Sequence, residues 1–295
     1  MMDSAGEQQP LFKDPVHELQ KQLDKTRELF IYLLAFITEV ARYAETDARK
    51  KASKHLPSAD DLNVNIKMAG NELLWQILEN TSFQKAIEAD KTLARMDGEL
   101  VRKFYQLLLE TDEYKTYINQ LGRDKQKEVA LLEFIFNSLL LPNEDFEAHI
   151  EELFNNWDDD GEMIQQLINN FLHKPTLNVQ QMVSNEKWIF AKSLLTTFIE
   201  KKEFVLDLIK PKLNNWDAER IAVLDMIIMQ LGVCELLYFE TIPTKVTINE
   251  YIDLAKDYST PQSGQFVNGI LDNIHKEQTA AGKINKVDFR NKGRK

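Results

Sequence analysis

The chain has 295 residues, a single cysteine, and 36 Lys and Arg against 47 Asp and Glu, for a formal charge of −11. A hydrophobic share of 43% supports a packed core and excludes a disordered polymer. Cys234 has no partner, which excludes a disulfide framework and a cysteine zinc site.

No stretch approaches the roughly 18 apolar residues of a membrane helix. The start, MMDSAGEQQP, lacks the basic and apolar regions of a signal peptide. A cytoplasmic protein without membrane contact is expected. Apolar residues recur at three and four positions, not at two, so the expected fold is all-α. The spacing predicts helices over about 15–44, 66–80, 99–109, 123–141, 144–155, 161–172, 186–210, 217–239, 247–258 and 261–279. Leu29, Leu33, Phe36, Ile37 and Val40 carry the first stripe, and Val129, Leu132, Phe136 and Leu139 a later one. Pro211 should break the seventh helix. Thr247 and Glu250 have capping-box spacing, Thr260 before Pro261 reads as a cap, and Asp217 is a third cap candidate. Asn155-Asn156-Trp157-Asp158 recurs as Asn214-Asn215-Trp216-Asp217; a reused helix corner and a coincidence both fit.

Charge is uneven. Residues 1–183 carry 20 basic and 32 acidic side chains, residues 184–277 carry 10 and 14, and residues 278–295 carry 6 and 1. An acidic bulk repels phosphate, so nucleic-acid contact has to come from local cations, and a basic protein partner suits the surface.

Catalytic and phosphate-binding signatures are missing. There is no H-E-x-x-H, G-x-S-x-G or G-x-G-x-x-G. Gly264 to Gly269 imitates a phosphate loop, but Ile270 and Leu271 stand where Lys and Ser or Thr are needed. Asp272 and His275 make one half of a di-metal motif that needs two. Cys234 reads as a buried inert thiol. No enzyme activity, cofactor, metal or small-molecule substrate is expected.

The segment from Trp216 to Glu277 is the specific part. In order it presents Trp216-Asp217 with Arg220, then Leu224-Asp225 and an apolar run closed by Glu235-Leu236-Leu237-Tyr238. Ile242-Pro243, Lys245-Val246, Ile248-Asn249-Glu250, Leu254-Ala255-Lys256, Phe266-Val267-Asn268-Gly269 and Leu271-Asp272 follow. These blocks resemble the C-terminal half of the NusB family of bacterial transcription antitermination factors. The resemblance implies helical bundles, RNA binding at the boxA element of ribosomal RNA transcripts, and a heterodimer with the ribosomal protein NusE in the antitermination complex of RNA polymerase. Residues 1–183 then form an acidic helical extension, 184–277 a NusB-like core that binds RNA and partner, and 278–295 a basic flexible tail.

The resemblance also points to residues. Phe266 sits where the family stacks an aromatic on RNA; the i, i+4, i+8 spacing of Phe266, Ile270 and Ile274 equally makes a core stripe. Gln262 and Gln265 are candidate polar contacts to RNA, or a solvated helix face. Lys245, read as a loop residue before a helix, is a candidate phosphate contact. Asp225 interrupts an apolar helix and is the candidate partner contact. The chain lacks the basic first helix of the family, and the long family members carry that helix upstream of the segment resembling residues 5–60. A start truncated at Met1 is therefore expected, which an in-frame basic helix upstream would confirm. Two other classes remain: a protein-interaction module with RNA binding lost, and an RNA methyltransferase, which needs a Rossmann domain where only eighteen residues follow Glu277.

Overall fold

The computed structural model describes residues 14–175, 178–179, 182–213, 221–260 and 262–287. Among them there are helices and no strands, as the periodicity requires. No described helix is long and apolar enough to cross a membrane. The chain divides into two units, one of Gln20–Met182 and one of Val183 onward with the residues up to Leu19.

The N-terminal unit is arranged around α1 (Pro15–Ala52). Every residue from Leu29 to Ile37 is buried, so this stretch is covered on all sides instead of along one stripe. That explains its ten consecutive uncharged residues. The helix runs past the predicted end at 44, and Arg49, Lys50 and Lys51 sit in its last turn, where cations favour the helix dipole. The short α2 (Ala59–Leu62), α3 (Glu72–Glu79), α4 (Thr81–Ala89), α5 (Gly98–Glu110), α6 (Asp112–Asn119), α7 (Lys125–Phe134), α8 (Glu144–Leu153) and α9 (Trp157–His173) complete the unit. Aromatic edges fill its centre: Phe36 meets Phe146 at 5.0 Å and Phe104 at 6.1 Å between ring centroids. Burying such a side chain stabilises by roughly 1.5–3 kcal/mol.

Several elements differ from expectation. The predicted helix at 66–80 is a 3₁₀ turn (Met68–Gly70) followed by α3, because Asn71 accepts the Leu74 amide and restarts the chain. The predicted helix at 123–141 is α7 continued as a π-helical stretch, Ile135–Leu140. Helices α4 and α6 were not expected. Their apolar pattern is too short, and α6 buries two tyrosines, Tyr114 and Tyr117. Trp157 opens α9, and a side chain on Gly161 would lie 3.3 Å from the indole, so glycine lets the ring lie flat on its own helix. The second copy of that corner motif, with the Asp217 cap, lies outside the described residues.

The C-terminal unit contains α10 (Asn185–Ile209), α11 (Val223–Tyr238), α12 (Thr244–Tyr258) and α13 (Ser263–Ala280). Helix α10 stops before Pro211, as expected, and a 3₁₀ turn, Lys210–Leu213, follows. Val205, Ile209, Met229, Val233, Leu236, Tyr251, Val267 and Leu271 are among its core residues. Gly232 is the close-approach point: an added Cβ would meet Leu271 Cδ1 at 3.0 Å and Tyr251 Cγ at 3.3 Å. A side chain here would require Leu271 and Tyr251 to give by a few tenths of an ångström.

The capping box at Thr247 is a correction. Pro243 takes the cap position, at φ −61°, and accepts the amides of Val246 and Thr247 through its carbonyl. The helix therefore starts three residues early, and Thr247 is buried inside it with its hydroxyl unpaired. At α13 the cap position falls on Gln262, which makes no side-chain cap bond, and Thr260 Oγ1 contacts Ser263 Oγ at 2.9 Å instead. Pro261 lies outside the described residues.

Candidate nucleic-acid interface

The start of α13 is held in place by hydroxyls. Ser263 Oγ donates to Asp225 Oδ2 at 2.8 Å, and Ser259 Oγ lies 3.1 Å from Ser263 Oγ. Asp225 is only 6% exposed, and its other carboxylate oxygen has no hydrogen-bond partner. The carboxylate that interrupts α11 thus faces inward and ties the first turn of α11 to the first turn of α13. Gly264, the next residue, is buried against Lys256 and the Ile252 carbonyl, which closes the α12–α13 hairpin.

This arrangement fixes what the first turns of α13 present. Gln262 and Gln265 are exposed. Phe266 is half-buried and packs against the C-terminal core, beside the fully covered Val267 and Ile270. One edge of Phe266 thus lies against the core and another is accessible. Lys245 does not join this group. It stands exposed in the first turn of α12, not in a loop. Helix α12 is about 20 Å long at 1.5 Å per residue, and the chain turns back after it. Lys245 therefore lies a helix length from Gln262.

The other end of the unit holds Glu235, and with it Lys286, whose bonds the sequence does not show. Glu235 is buried near the end of α11 and accepts the Tyr251 hydroxyl at 3.2 Å. Burial and this carboxylate push the Tyr251 phenol above its ordinary range. Lys286 Nζ donates to the carbonyls of Glu235 at 3.0 Å and Phe239 at 2.9 Å. A lone lysine inside a basic run gives no sign of such a bond, because the partners are backbone atoms. Lys212 pairs with Glu277, and Lys276 with Asp272 at 2.6 Å. Cys234 is buried, and burial pushes its thiol up to about 11, which leaves it protonated and inert. Among the described residues no group of three or more His, Cys, Asp or Glu could hold a metal.

The start of α13 thus presents two exposed amide side chains beside an aromatic edge. The NusB family profile matches residues 150–276, which begins inside α8 and so takes in α9 as well as the C-terminal unit. The transcription antitermination protein NusB of Finegoldia magna is 42% identical over 92 residues, 31% of this chain and 67% of that protein. Those of Salinibacter ruber and Bacillus mycoides are 39% and 42% identical over 98 and 85 residues, covering 33% and 29% of this chain and 61% and 65% of theirs. The match thus spans about two thirds of the length of these relatives. No solved structure matches. On this identity and coverage, the chain belongs to the NusB family.

Proposed function

We propose that this protein acts in transcription antitermination, binding boxA-type single-stranded RNA of ribosomal RNA transcripts together with the ribosomal protein NusE and so joining the RNA polymerase complex. The observation that carries this reading is the start of α13, where Gln262, Gln265 and a half-buried Phe266 stand together within the stretch that matches the NusB family. Single-stranded RNA is read by stacking and by hydrogen bonds to base edges, and this surface offers both. The net charge of −11 makes a basic protein companion necessary for tight binding. Asp225, whose carboxylate is inward, serves this reading by positioning α13, and any partner contact there reaches it through the helix ends it joins.

The test is binding of a boxA-type RNA and a scrambled RNA, with and without NusE, at two salt concentrations. Preference for the boxA sequence that sharpens with NusE is the expected result. Phe266→Ala should weaken specific binding by about 1–3 kcal/mol in protein that circular dichroism shows to be folded at the assay temperature. Equal affinity for both RNAs with NusE present overturns the reading in favour of a protein-interaction module.

A further inference from the structure

Within the N-terminal unit, α6 and α7 meet along a seam that their own side chains do not fill. Each helix turns large residues inward: Tyr114 and Tyr117 on α6, Val129 and Leu132 on α7. On the outer side each lines the seam with a short residue, Thr116 on α6 and Ala130 on α7, both exposed. Long polar stems ordinarily close such a surface. Here a groove of about 330 Å³ stays open, walled by Tyr117, Leu131 and Phe134. Lys67 Nζ lies 4.9 Å from the Tyr117 ring centroid and donates to the carbonyls of Tyr117 and Gln120, which fixes the α6 wall.

The groove is charged at its ends. Asp112 and Glu113 stand in the first turn of α6, away from the loop 120–124, and Lys127 in the first turn of α7, beside that loop. The carboxylates and the ammonium therefore mark opposite ends. All three side chains are exposed, and among the described residues none makes a hydrogen bond or an ion pair. First-turn carboxylates favour the helix dipole, but Thr111 already caps α6 by accepting the Tyr114 amide. A dipole role leaves the apolar groove beside them unexplained.

The walls select the occupant. Both are helices with internally bonded backbones, so no strand edge is offered to an extended peptide. Lining residues recur at three and four positions on each wall, and from Lys127 to Phe134 they run for about 10 Å at the helical rise. Ridges of a third helix fit that pattern. Two carboxylates against one ammonium repel a phosphate strand.

We infer that the α6–α7 groove is a docking site for an amphipathic helix of a partner protein. Its apolar stripe enters between Thr116 and Ala130, a lysine or arginine lies at the Asp112 and Glu113 end, and a carboxylate lies at the Lys127 end. All of these groove residues belong to the N-terminal unit, so the site is a function beyond the RNA surface at the start of α13.

The probe is a fluorescein-labelled, alanine-based helical peptide, read by fluorescence anisotropy against the full-length protein. It carries leucines at i, i+4 and i+7, with a lysine at one end of that face and a glutamate at the other. Saturable binding is expected. Ala130→Trp fills the groove from an exposed position and should weaken binding about tenfold or more. Thr116→Trp should do the same from the other wall, in protein that circular dichroism shows to be folded. Changing the peptide's lysine to glutamate should weaken binding roughly fivefold, the scale of exposed charge pairs, and Asp112→Lys should restore it. No binding of the lysine peptide, or equal binding to wild type and both tryptophan variants, overturns the site. Equal binding of the lysine and glutamate peptides overturns the partner's stated charge. Phenethylamine bound at the groove with the lysine peptide unbound assigns it to a small amine and overturns helix docking.

Discussion

In the N-terminal unit, six successive helix starts are capped by their own sequence. Asn71, Asn80, Asp97, Thr111, Asp124 and Asn143 each accept a backbone amide of the helix they begin. In the C-terminal unit Ser184 caps α10, but α11, α12 and α13 start at Ala222, Pro243 and Gln262, none with a side-chain cap bond. Buried polar atoms divide in the same direction. Asp225, Gln230, Thr247 and Gln278 hold unpaired oxygens in the C-terminal unit, against Tyr117 and Asn156 in the N-terminal one. A cap contributes about 1 kcal/mol and an unpaired buried group costs about 1–3 kcal/mol. These six starts in the N-terminal unit are thus specified locally, whereas the C-terminal unit depends more on packing and leaves more polar groups unsatisfied.

The contrast can be broken most severely at the centre of the N-terminal unit. Phe36→Ala should cost about 3–5 kcal/mol in the unfolding of the N-terminal unit, measured by urea denaturation. A loss under about 1 kcal/mol would show that the aromatic centre is not what holds it. Replacing Gln230 by Met removes an unpaired amide oxygen at similar volume, so the C-terminal unit should gain on the order of 1 kcal/mol; a loss of that size would mean the amide has a partner after all. Asp97→Ala should cost about 1 kcal/mol, while Ala222→Ser, at a residue already in an extended cap conformation (ψ 136°), should add about 0.5–1 kcal/mol. Opposite signs from these two sharpen the comparison, and equal signs dissolve it.

The smallest effect concerns pH. His149 Nε2 lies 2.6 Å from the Tyr32 hydroxyl, and burial holds the imidazole below its ordinary 6.5. A depressed histidine favours the neutral form in the fold. Its contribution is complete above about pH 6.5 and is lost as pH falls toward the folded-state value. His149→Gln should flatten thermal stability over that acidic window, and an unchanged profile would assign the acid sensitivity elsewhere.

Much of this was readable from residue patterns, and the failures have physical causes. The uncharged run from Leu29 to Thr38 announces a buried helix because only complete burial tolerates the absence of charge. Pro211 marked the end of α10, and the stripes from Leu29 to Val40 and from Val129 to Leu139 marked faces turned to the core, although α1 runs on to Ala52. Helix α6 escaped notice because tyrosines carry its buried face and count weakly as apolar. The start of α12 was misplaced because a proline with fixed φ outranks a well-spaced hydroxyl and carboxylate. At the candidate site, the segment itself was visible in the sequence, and the grouping was not. Spacing along the chain cannot show that Lys245 stands apart from Gln262 by a helix length, nor that Lys286 grips carbonyls 47 and 51 residues before it.

The fully enclosed stretch of α1 also sets conditions for synthesis. Phe30 packs edge-on against Phe171, at 5.7 Å between ring centroids. At about 5–20 residues per second, a ribosome delivers Phe171 some 7–30 seconds after Phe30. During that interval nine greasy side chains in a row have none of their late-arriving cover. Nascent chains of this protein should therefore be clients of ribosome-bound chaperones, and stalling translation before α9 should yield aggregates rather than a folded intermediate.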